Sequence, residues 1–280
     1  MKSNILVTGG TGKTGRRIVH ILKNEQENVF VGSRHNTPAF DWNDQKSYAN
    51  VLKGMDSAYI AYTPDLAVPG AKEAIQTFTE LALKEGLDKV VLLSGKGEKE
   101  AEACEEIVAN SGLNYTIVRA SWFNQNFSES VFSDPILAGH VALPMAEAEI
   151  PFVDADDIAE VVAKALRDNS LNGQIITVTG PRKLTFKEAV QTIAKATNRT
   201  INFQAITLEQ YLEGMENAGV PADFIWLFGY LFKEVLGNAD NQTVSNDIES
   251  ILGRKAMDFT EFAQKTAATG IWNQTITQAL

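Results

Sequence analysis

A chain of 280 residues, 44% of them hydrophobic, can bury one large core or a large core beside a smaller one. Its 35 acidic residues outnumber 25 basic ones, and the formal charge of −10 repels nucleic-acid backbones and anionic lipid, so neither kind of partner is expected. One cysteine, Cys104, excludes an internal disulfide, and the start, without a charged-then-apolar leader, points to a cytoplasmic protein.

Short β-branched runs alternate with segments of helical spacing through the first half. The runs NILVTG, VFVGS, SAYIAY, KVVLLS and NYTIVR read as strands, with helices expected to begin near Lys13, Asn43, Pro69 and Glu98. Pro69 is expected in the first turn of its helix, with Gly86 as the stop, and Gly112 ends the next helix in the same way. After Arg119 come the aromatic segment ASWFNQNF, then GHVALP, then EIPFVDADDIAEVVAKALRD, where Ile158, Val161, Val162, Ala165 and Leu166 form one apolar stripe. GQIITVTG supplies a further strand near 174–179. From Leu184 the pattern is mostly helical, interrupted by INFQAI. The expected fold is α/β: a Rossmann-type, doubly wound parallel sheet over residues 1–183, with a smaller, mostly helical substrate lobe over residues 184–280.

LVTGGTGKTGRRIV, at the end of the first strand, admits two readings. Gly12-Lys13-Thr14 closes like a triphosphate P-loop, but that loop needs its first glycine five residues before Gly12, where Val7 stands inside the strand. A dinucleotide turn accounts for every glycine. Gly9 permits the sharp exit from the strand, Gly12 lets the backbone approach a pyrophosphate, and Gly15 lets the helix pack closely. The helix N-terminus then faces the phosphates, and Lys13 adds charge there. The next strand ends on Ser33 and Arg34, where an NAD-preferring site usually carries an acid. A guanidinium forks onto a 2′-phosphate, so NADP(H) is the expected cofactor.

VTGGTGKTGRR, GSR, FDWND, YTPDLAVPGA, VVLLSGKGE, SGLNYTIVRASWFNQNF, PFVDADDIAEV, VTGPRKLTF and AATGIW together resemble the NmrA-like, atypical short-chain dehydrogenase/reductases. Within them the chain is most similar to a bacterial branch related to the ergot-alkaloid reductases, the festuclavine and agroclavine dehydrogenases. The resemblance implies that Gly9, Gly10, Thr11, Gly12, Lys13, Thr14 and Gly15 lie at the phosphates, Ser33 and Arg34 at the 2′-phosphate, and Asp41 and Trp42 near adenine. It places Tyr62, Thr63 and Pro64 on the ribose side, Ser94 and Gly95 after the next strand, and SWFNQNF at the floor of a nicotinamide and substrate pocket.

One feature departs from the wider superfamily. Its Tyr-x-x-x-Lys proton-transfer pair should fall on the helix after Ser94, but GEKEAEACEEIVANSG contains no tyrosine. Hydride addition to an iminium leaves a neutral amine and needs no acid, so orientation and exclusion of water would carry such a reaction. Pocket candidates are Tyr62, Trp122, Phe123, Asn126 and Phe152; the aromatics could stack a flat substrate or simply pack, and Asn126 could orient a ligand or cap a helix. Lys96 and Glu98 could enter the site, although a solvated loop is the simpler account. The acids of DADDIAEV suit a helix start better than a metal, and no metal is expected. Cys104 reads as a structural thiol, and the run Phe224 to Phe232, too short for a bilayer, could close over the substrate, although a core stripe is the simpler account. Two functions follow: a reductase of small, apolar, electron-poor molecules, or an NADP(H)-binding redox sensor acting through a protein partner.

Overall fold

The computed structural model describes residues 2–273; the last seven positions of the expected lobe, 274–280, lie outside the described residues. In chain order the elements are β1 (Asn4–Thr8), α1 (Lys13–Asn24), β2 (Asn28–Gly32), α2 (Tyr48–Leu52), β3 (Ser57–Ile60), α3 (Ala71–Glu85), β4 (Lys89–Gly95), α4 (Lys99–Ala109), β5 (Asn114–Ala120), α5 (Ser133–Ala138), β6 (His140–Leu143), α6 (Ala155–Arg167), β7 (Gln174–Val178), α7 (Phe186–Thr197), β8 (Asn202–Ala205), α8 (Leu208–Asn217), α9 (Ala222–Tyr230), α10 (Asp247–Leu252) and α11 (Phe259–Ala268). Among the described residues no helix is long and apolar enough to cross a membrane.

All six expected strands pair in one sheet of order β2-β1-β3-β4-β5-β7, and every pairing is parallel. A parallel sheet needs cover on both faces, which is why its central strands are apolar without interruption: Val90, Val91 and Leu92 of β4 are all fully buried. One face meets α3 and α4 through Ala74, Ile75, Phe78, Ala101 and Val108. The order reverses at β1, whose neighbours are β2 and β3, so a ligand crevice is expected outside the carboxyl ends of these strands.

Two helix starts differ from the sequence reading. Pro69 is not in the first turn of α3, because Gly70, with φ of +89°, is the N-cap and the helix opens at Ala71. The helix expected near Asn43 starts at Tyr48, after a 3-10 turn at Gln45–Ser47 capped by the Asp44 carboxylate.

Packing divides the described residues into two compact units, each assembled from separated stretches: residues 2–120, 155–178 and 247–254 in one, and residues 121–154, 179–246 and 255–273 in the other. This differs from a single boundary at residue 183. The reason lies in the aromatic residues of 121–154, since Phe127, Phe132 and Phe152 share a core with Phe186, Phe232, Phe259 and Trp272. Conversely, α10 and the two residues after it, Gly253 and Arg254, return to the sheet unit. There the Asp247 carboxylate accepts the Thr177 N–H at 2.7 Å, and Arg254 pairs with buried Asp157 at 2.6 Å and with Glu160 at 2.8 Å.

In the second unit Asp258 caps α11, accepting the Thr260 N–H at 2.8 Å while Arg182 donates to it at 2.6 and 3.0 Å. The Arg182 hydrogen bonds hold the Asp258 carboxyl down at about 2, below its ordinary 3.8. A depressed folded value means that the contribution to stability is complete above the ordinary pKa and is lost as pH falls toward 2. Asp258→Ala should therefore lower stability in urea unfolding by about 1 kcal/mol at neutral pH, the scale of a lost cap, and the gap to wild type should shrink in acid.

Candidate cofactor and substrate site

The turn after β1 is built by glycines for steric reasons. Gly9 adopts φ of +60°, its N–H donates to the Gly32 carbonyl at 3.1 Å, and its own carbonyl accepts the Gly12 N–H at 2.8 Å. A Cβ on Gly10 would lie 2.8 Å from Val31 Cγ1, and one on Gly15 would overlap the Gly9 carbonyl oxygen and lie 2.7 Å from Gly10 Cα. Helix α1 therefore packs directly on the turn. Its N-cap, Gly12, has no side chain to offer, and its first turn holds no acid, so the opening amides and the positive helix end suit an anion. Gly10, Thr11 and Lys13 lie along the same bend. Thr14 is buried, and its hydroxyl lies 2.8 Å from the Tyr59 hydroxyl of β3, a brace that sequence reasoning missed. Burial pushes the Tyr59 phenol above its ordinary range, so it holds Thr14 as a neutral partner.

The Gly9–Gly32 bond ties the end of β2 to this turn and so sets Ser33 and Arg34 beside it. Arg34 is exposed and, among the described residues, makes no ion pair. The Ser33 hydroxyl donates to Asn36 Oδ1 at 2.5 Å. Trp42 is less open than an adenine contact suggests. It is 8% exposed, its indole N–H donates to the Ala61 carbonyl at 2.9 Å, and its ring packs on Phe40, Tyr48 and Tyr62 at centroid distances of 4.8, 5.5 and 5.2 Å. Asp41 turns its carboxylate onto the Asn43 N–H. After β3, Tyr62 is half-buried while Thr63 and Pro64 are exposed. Burial pushes the Tyr62 phenol up, with Cys104 and Glu73 adding to the shift.

Ser94 and Gly95, at the end of β4, carry partners that the sequence did not reveal. The Ser94 hydroxyl donates to Glu105 Oε1 at 2.6 Å, and the guanidinium of Arg119 clamps the same carboxylate from β5 at 2.9 and 2.5 Å. The reading of Glu98 as part of a solvated loop is corrected: it is 9% exposed and its carboxyl folds back over Gly95. In the loop after β3 the Asp65 carboxylate accepts the Ala67 N–H at 2.8 Å, and burial pushes both the Asp65 and the Glu98 carboxyls up from the ordinary range. Lys96 is half-buried, and burial lowers its ammonium below the ordinary range. Cys104 is fully buried, and burial pushes its thiol up to about 11, so it is packing and not a nucleophile.

In the second unit, the segment after β5 is anchored by its backbone: the Asn124 N–H donates to the Val153 carbonyl, and the Val153 N–H to the Trp122 carbonyl, both at 2.8 Å. Trp122 is half-buried against Phe132, Phe186 and Phe232. Phe123 and Asn126 are half-buried, and the Asn126 carbonyl accepts the Phe132 N–H at 3.1 Å. Phe152, by contrast, is 2% exposed inside the aromatic core, so it supports the pocket candidates rather than lining a surface. Beside them, Asn124 and Gln125 both donate to buried Asp154, which accounts for that acid without a metal; Asp156 pairs with Arg17, and Asp157 with Arg254. The run from Phe224 to Phe232 is less of a core stripe than its composition suggests: Leu227 and Phe232 are buried, but Phe224 and Trp226 are 40% and 47% exposed.

A parallel, doubly wound sheet with a glycine turn feeding a helix N-terminus at its reversal point defines a dinucleotide-binding protein of the Rossmann class. A model described as NAD(P)H-binding matches residues 9–169. The chain belongs to the NmrA-like family, whose model matches residues 99–264.

Among curated relatives, prestalk A differentiation protein A of Dictyostelium discoideum is 26% identical, covering 95% of this chain and 93% of its own. Agroclavine dehydrogenase of Claviceps fusiformis is 28% identical over 92% and 95%, and an NAD(P)H azoreductase of Xenophilus azovorans 27% over 94% and 98%. Two solved structures share the fold at 16% identity. Citrobacter sp. triphenylmethane reductase with NADP(H) gives a TM-score of 0.72 over 94% of this chain and 99% of that one; the NADPH-dependent quinone oxidoreductase of Escherichia coli with NADPH gives 0.77 over 93% and 99%.

Proposed function

We propose that this protein is an NADPH-dependent oxidoreductase that reduces a small, apolar, electron-poor organic molecule of the iminium, quinone or dye type. The observation that carries the reading is the Gly9–Gly15 turn, a steric cradle that side chains would fill, with the exposed Arg34 at its adenosine end. Relatives named as dehydrogenases and reductases of clavines and azo compounds support the same chemical class.

Bound NADPH supplies a hydride equivalent. The chain's own contribution begins with the α1 amides and Lys13, which take the pyrophosphate, while Arg34 takes the 2′-phosphate and Thr63 and Pro64 line the ribose side. Asp41 and the edge of Trp42 close the adenine side. Trp122, Phe123 and Asn126 present half-buried surface for a flat acceptor, which they orient and shield from water. Helix α4 carries no tyrosine, so a Tyr-x-x-x-Lys pair takes no part.

The test is to mix the purified protein with NADPH and, separately, a cyclic iminium, a quinone, an azo dye and a triarylmethane dye, following absorbance of the reduced nicotinamide. Turnover with at least one acceptor is expected. Tight NADPH binding without turnover on any of them, together with a co-purifying protein, would replace the reductase with the redox-sensing regulator. The exposed Phe224 and Trp226 of α9 are the surface that speaks for that second reading.

A further inference from the structure

We infer that Tyr59 is a positioning residue of the phosphate site: its phenol donates to the Thr14 hydroxyl and so leaves the Thr14 hydrogen to a phosphate oxygen at the head of α1. The inference rests on the reading of the Gly9–Gly15 turn as a dinucleotide site and holds for any acceptor that the bound cofactor reduces.

Tyr59 is the third residue of β3, a strand between β1 and β4, and stands opposite Val7 of β1. On its main-chain side, the hydroxyl of Thr8 donates to the Tyr59 carbonyl at 2.9 Å and accepts the Ala61 N–H at 2.9 Å. On its side-chain side, the fully buried ring carries its hydroxyl to 2.8 Å from Thr14 Oγ1. Thr8 is the last residue of β1 before the glycine turn, and Thr14 is the second residue of the helix that follows it. Both ends of the turn are therefore fastened to one residue of β3. The main-chain bonds fix the strand end, and the hydroxyl pair fixes the first turn of α1.

Each hydroxyl of the pair has one hydrogen and two lone pairs, so only one of them donates. The aromatic ring withdraws charge from the phenol oxygen, which makes the phenol the better donor and the aliphatic alcohol the better acceptor. Among the described residues Thr14 Oγ1 is the only hydrogen-bond partner of the Tyr59 hydroxyl. Donation the other way would strand the phenolic hydrogen in a fully buried place, without an acceptor and without water. Burial also pushes the phenol above its ordinary range, which keeps that hydrogen in place at neutral pH. The bond therefore runs from Tyr59 to Thr14. Thr14 Oγ1 accepts, and its own hydrogen meets no acceptor among the described residues.

That hydrogen lies at the positive end of α1. Thr14 is 5% exposed, and side chains of an α-helix lean toward its N-terminus, which brings the hydroxyl alongside the free first-turn amides. Gly12 offers no capping side chain and no acid stands in the first turn, so α1 brings no side-chain acceptor of its own. A buried donor without a protein acceptor, set beside the uncapped amides of a 12-residue helix, suits one oxygen of an anion. The phenol does not touch that oxygen. It acts by occupying the Thr14 lone pair that faces β3; without it nothing fixes the direction of the Thr14 hydrogen.

A double-mutant cycle on NADPH and NADH binding, read by fluorescence titration with no acceptor present and with urea unfolding alongside, tests the inference. Thr14→Val keeps the shape and removes the hydroxyl; it is expected to weaken both cofactors by about tenfold or more, the scale of one charge-assisted hydrogen bond. Tyr59→Phe keeps the ring and removes only the phenolic oxygen; it is expected to weaken both by about three- to tenfold, the scale of one neutral hydrogen bond. Thr14→Ser, which keeps the hydroxyl, is expected to bind both like the wild type. Positioning separates from packing in the last arm of the cycle. Once Thr14→Val is in place, adding Tyr59→Phe is expected to cause no further loss of affinity and to regain stability in urea, because it removes the phenolic hydrogen that Thr14→Val leaves without an acceptor. If Thr14→Val alone does not fold, the double variant stands in for it, and an affinity equal to that of Tyr59→Phe overturns the inference. A Tyr59→Phe loss of the same size in both backgrounds, or no loss in either single variant, also overturns it while the dinucleotide reading stands. A wild type that binds neither cofactor overturns the dinucleotide reading and the inference with it.

Discussion

Gly15→Ala should abolish measurable NADPH binding at concentrations that saturate the wild type, a loss of about a hundredfold or more, and should also lower stability. The added methyl would overlap the Gly9 carbonyl oxygen and lie 2.7 Å from Gly10 Cα. Both obstacles are backbone, so neither can rotate away and the start of α1 must shift. Overpacking of this kind costs about 1–3 kcal/mol in stability. The larger effect falls on binding, because the first-turn amides move with the helix; two charge-assisted hydrogen bonds at about 1.5–3 kcal/mol each exceed a hundredfold. Fluorescence titration with NADPH and urea unfolding read the two effects separately. Gly214→Ala is the control: a Cβ there meets nothing within 4 Å, and α8 should gain about 0.5–1 kcal/mol from the better helix former. If Gly15→Ala binds NADPH as wild type does, the close approach of turn and helix is not what shapes the site.

The same bend shows how far the sequence could be read. Strand positions were legible because a parallel sheet buried on both faces leaves uninterrupted β-branched runs, and all six entered the sheet. Gly9 and Gly15 were legible because each meets a backbone demand that favours glycine, a φ of +60° at Gly9 and the close packing of helix on turn at Gly15. What the sequence concealed was pairing across long separations. Nothing in SGKGE announces that Glu98 folds back over Gly95, since a lone acid after a strand has the pattern of a solvated turn residue. Glu105 looked like one more helix acid, yet Ser94 and Arg119 converge on it from two strands. The apolar run at α9 misled in the opposite direction. Composition implied burial, whereas Phe224 and Trp226 stand exposed, because periodicity reports which side chains are apolar and not what covers them. The segment 121–154 joined the later lobe for a related reason: its aromatics select partners that lie far along the chain.

Arg34→Ala is expected to weaken NADPH binding by about 10- to 150-fold and to leave NADH much less affected, because the 2′-phosphate is the only group that distinguishes the two cofactors. The range is the scale of one charge-assisted contact, about 1.5–3 kcal/mol. Arg34 is exposed, so salt screens the contact and the lower end should apply at high ionic strength. Arg34→Lys retains charge but loses the planar fork, and should fall between wild type and alanine. The neighbouring serine decides how much selectivity rests on the arginine alone. Ser33 spends its hydroxyl proton on Asn36 Oδ1 at 2.5 Å, leaving only lone pairs facing outward, and lone pairs do not attract a phosphate. To donate to the cofactor Ser33 must first give up Asn36, so its net contribution is the difference between two hydrogen bonds and not the worth of one. Ser33→Ala should therefore cost NADPH affinity only a few-fold where Arg34→Ala costs tens. Equal losses of NADPH and NADH in Arg34→Ala would remove the guanidinium from the 2′-phosphate, and a larger loss from Ser33→Ala would mean that the Ser33–Asn36 bond breaks when cofactor binds.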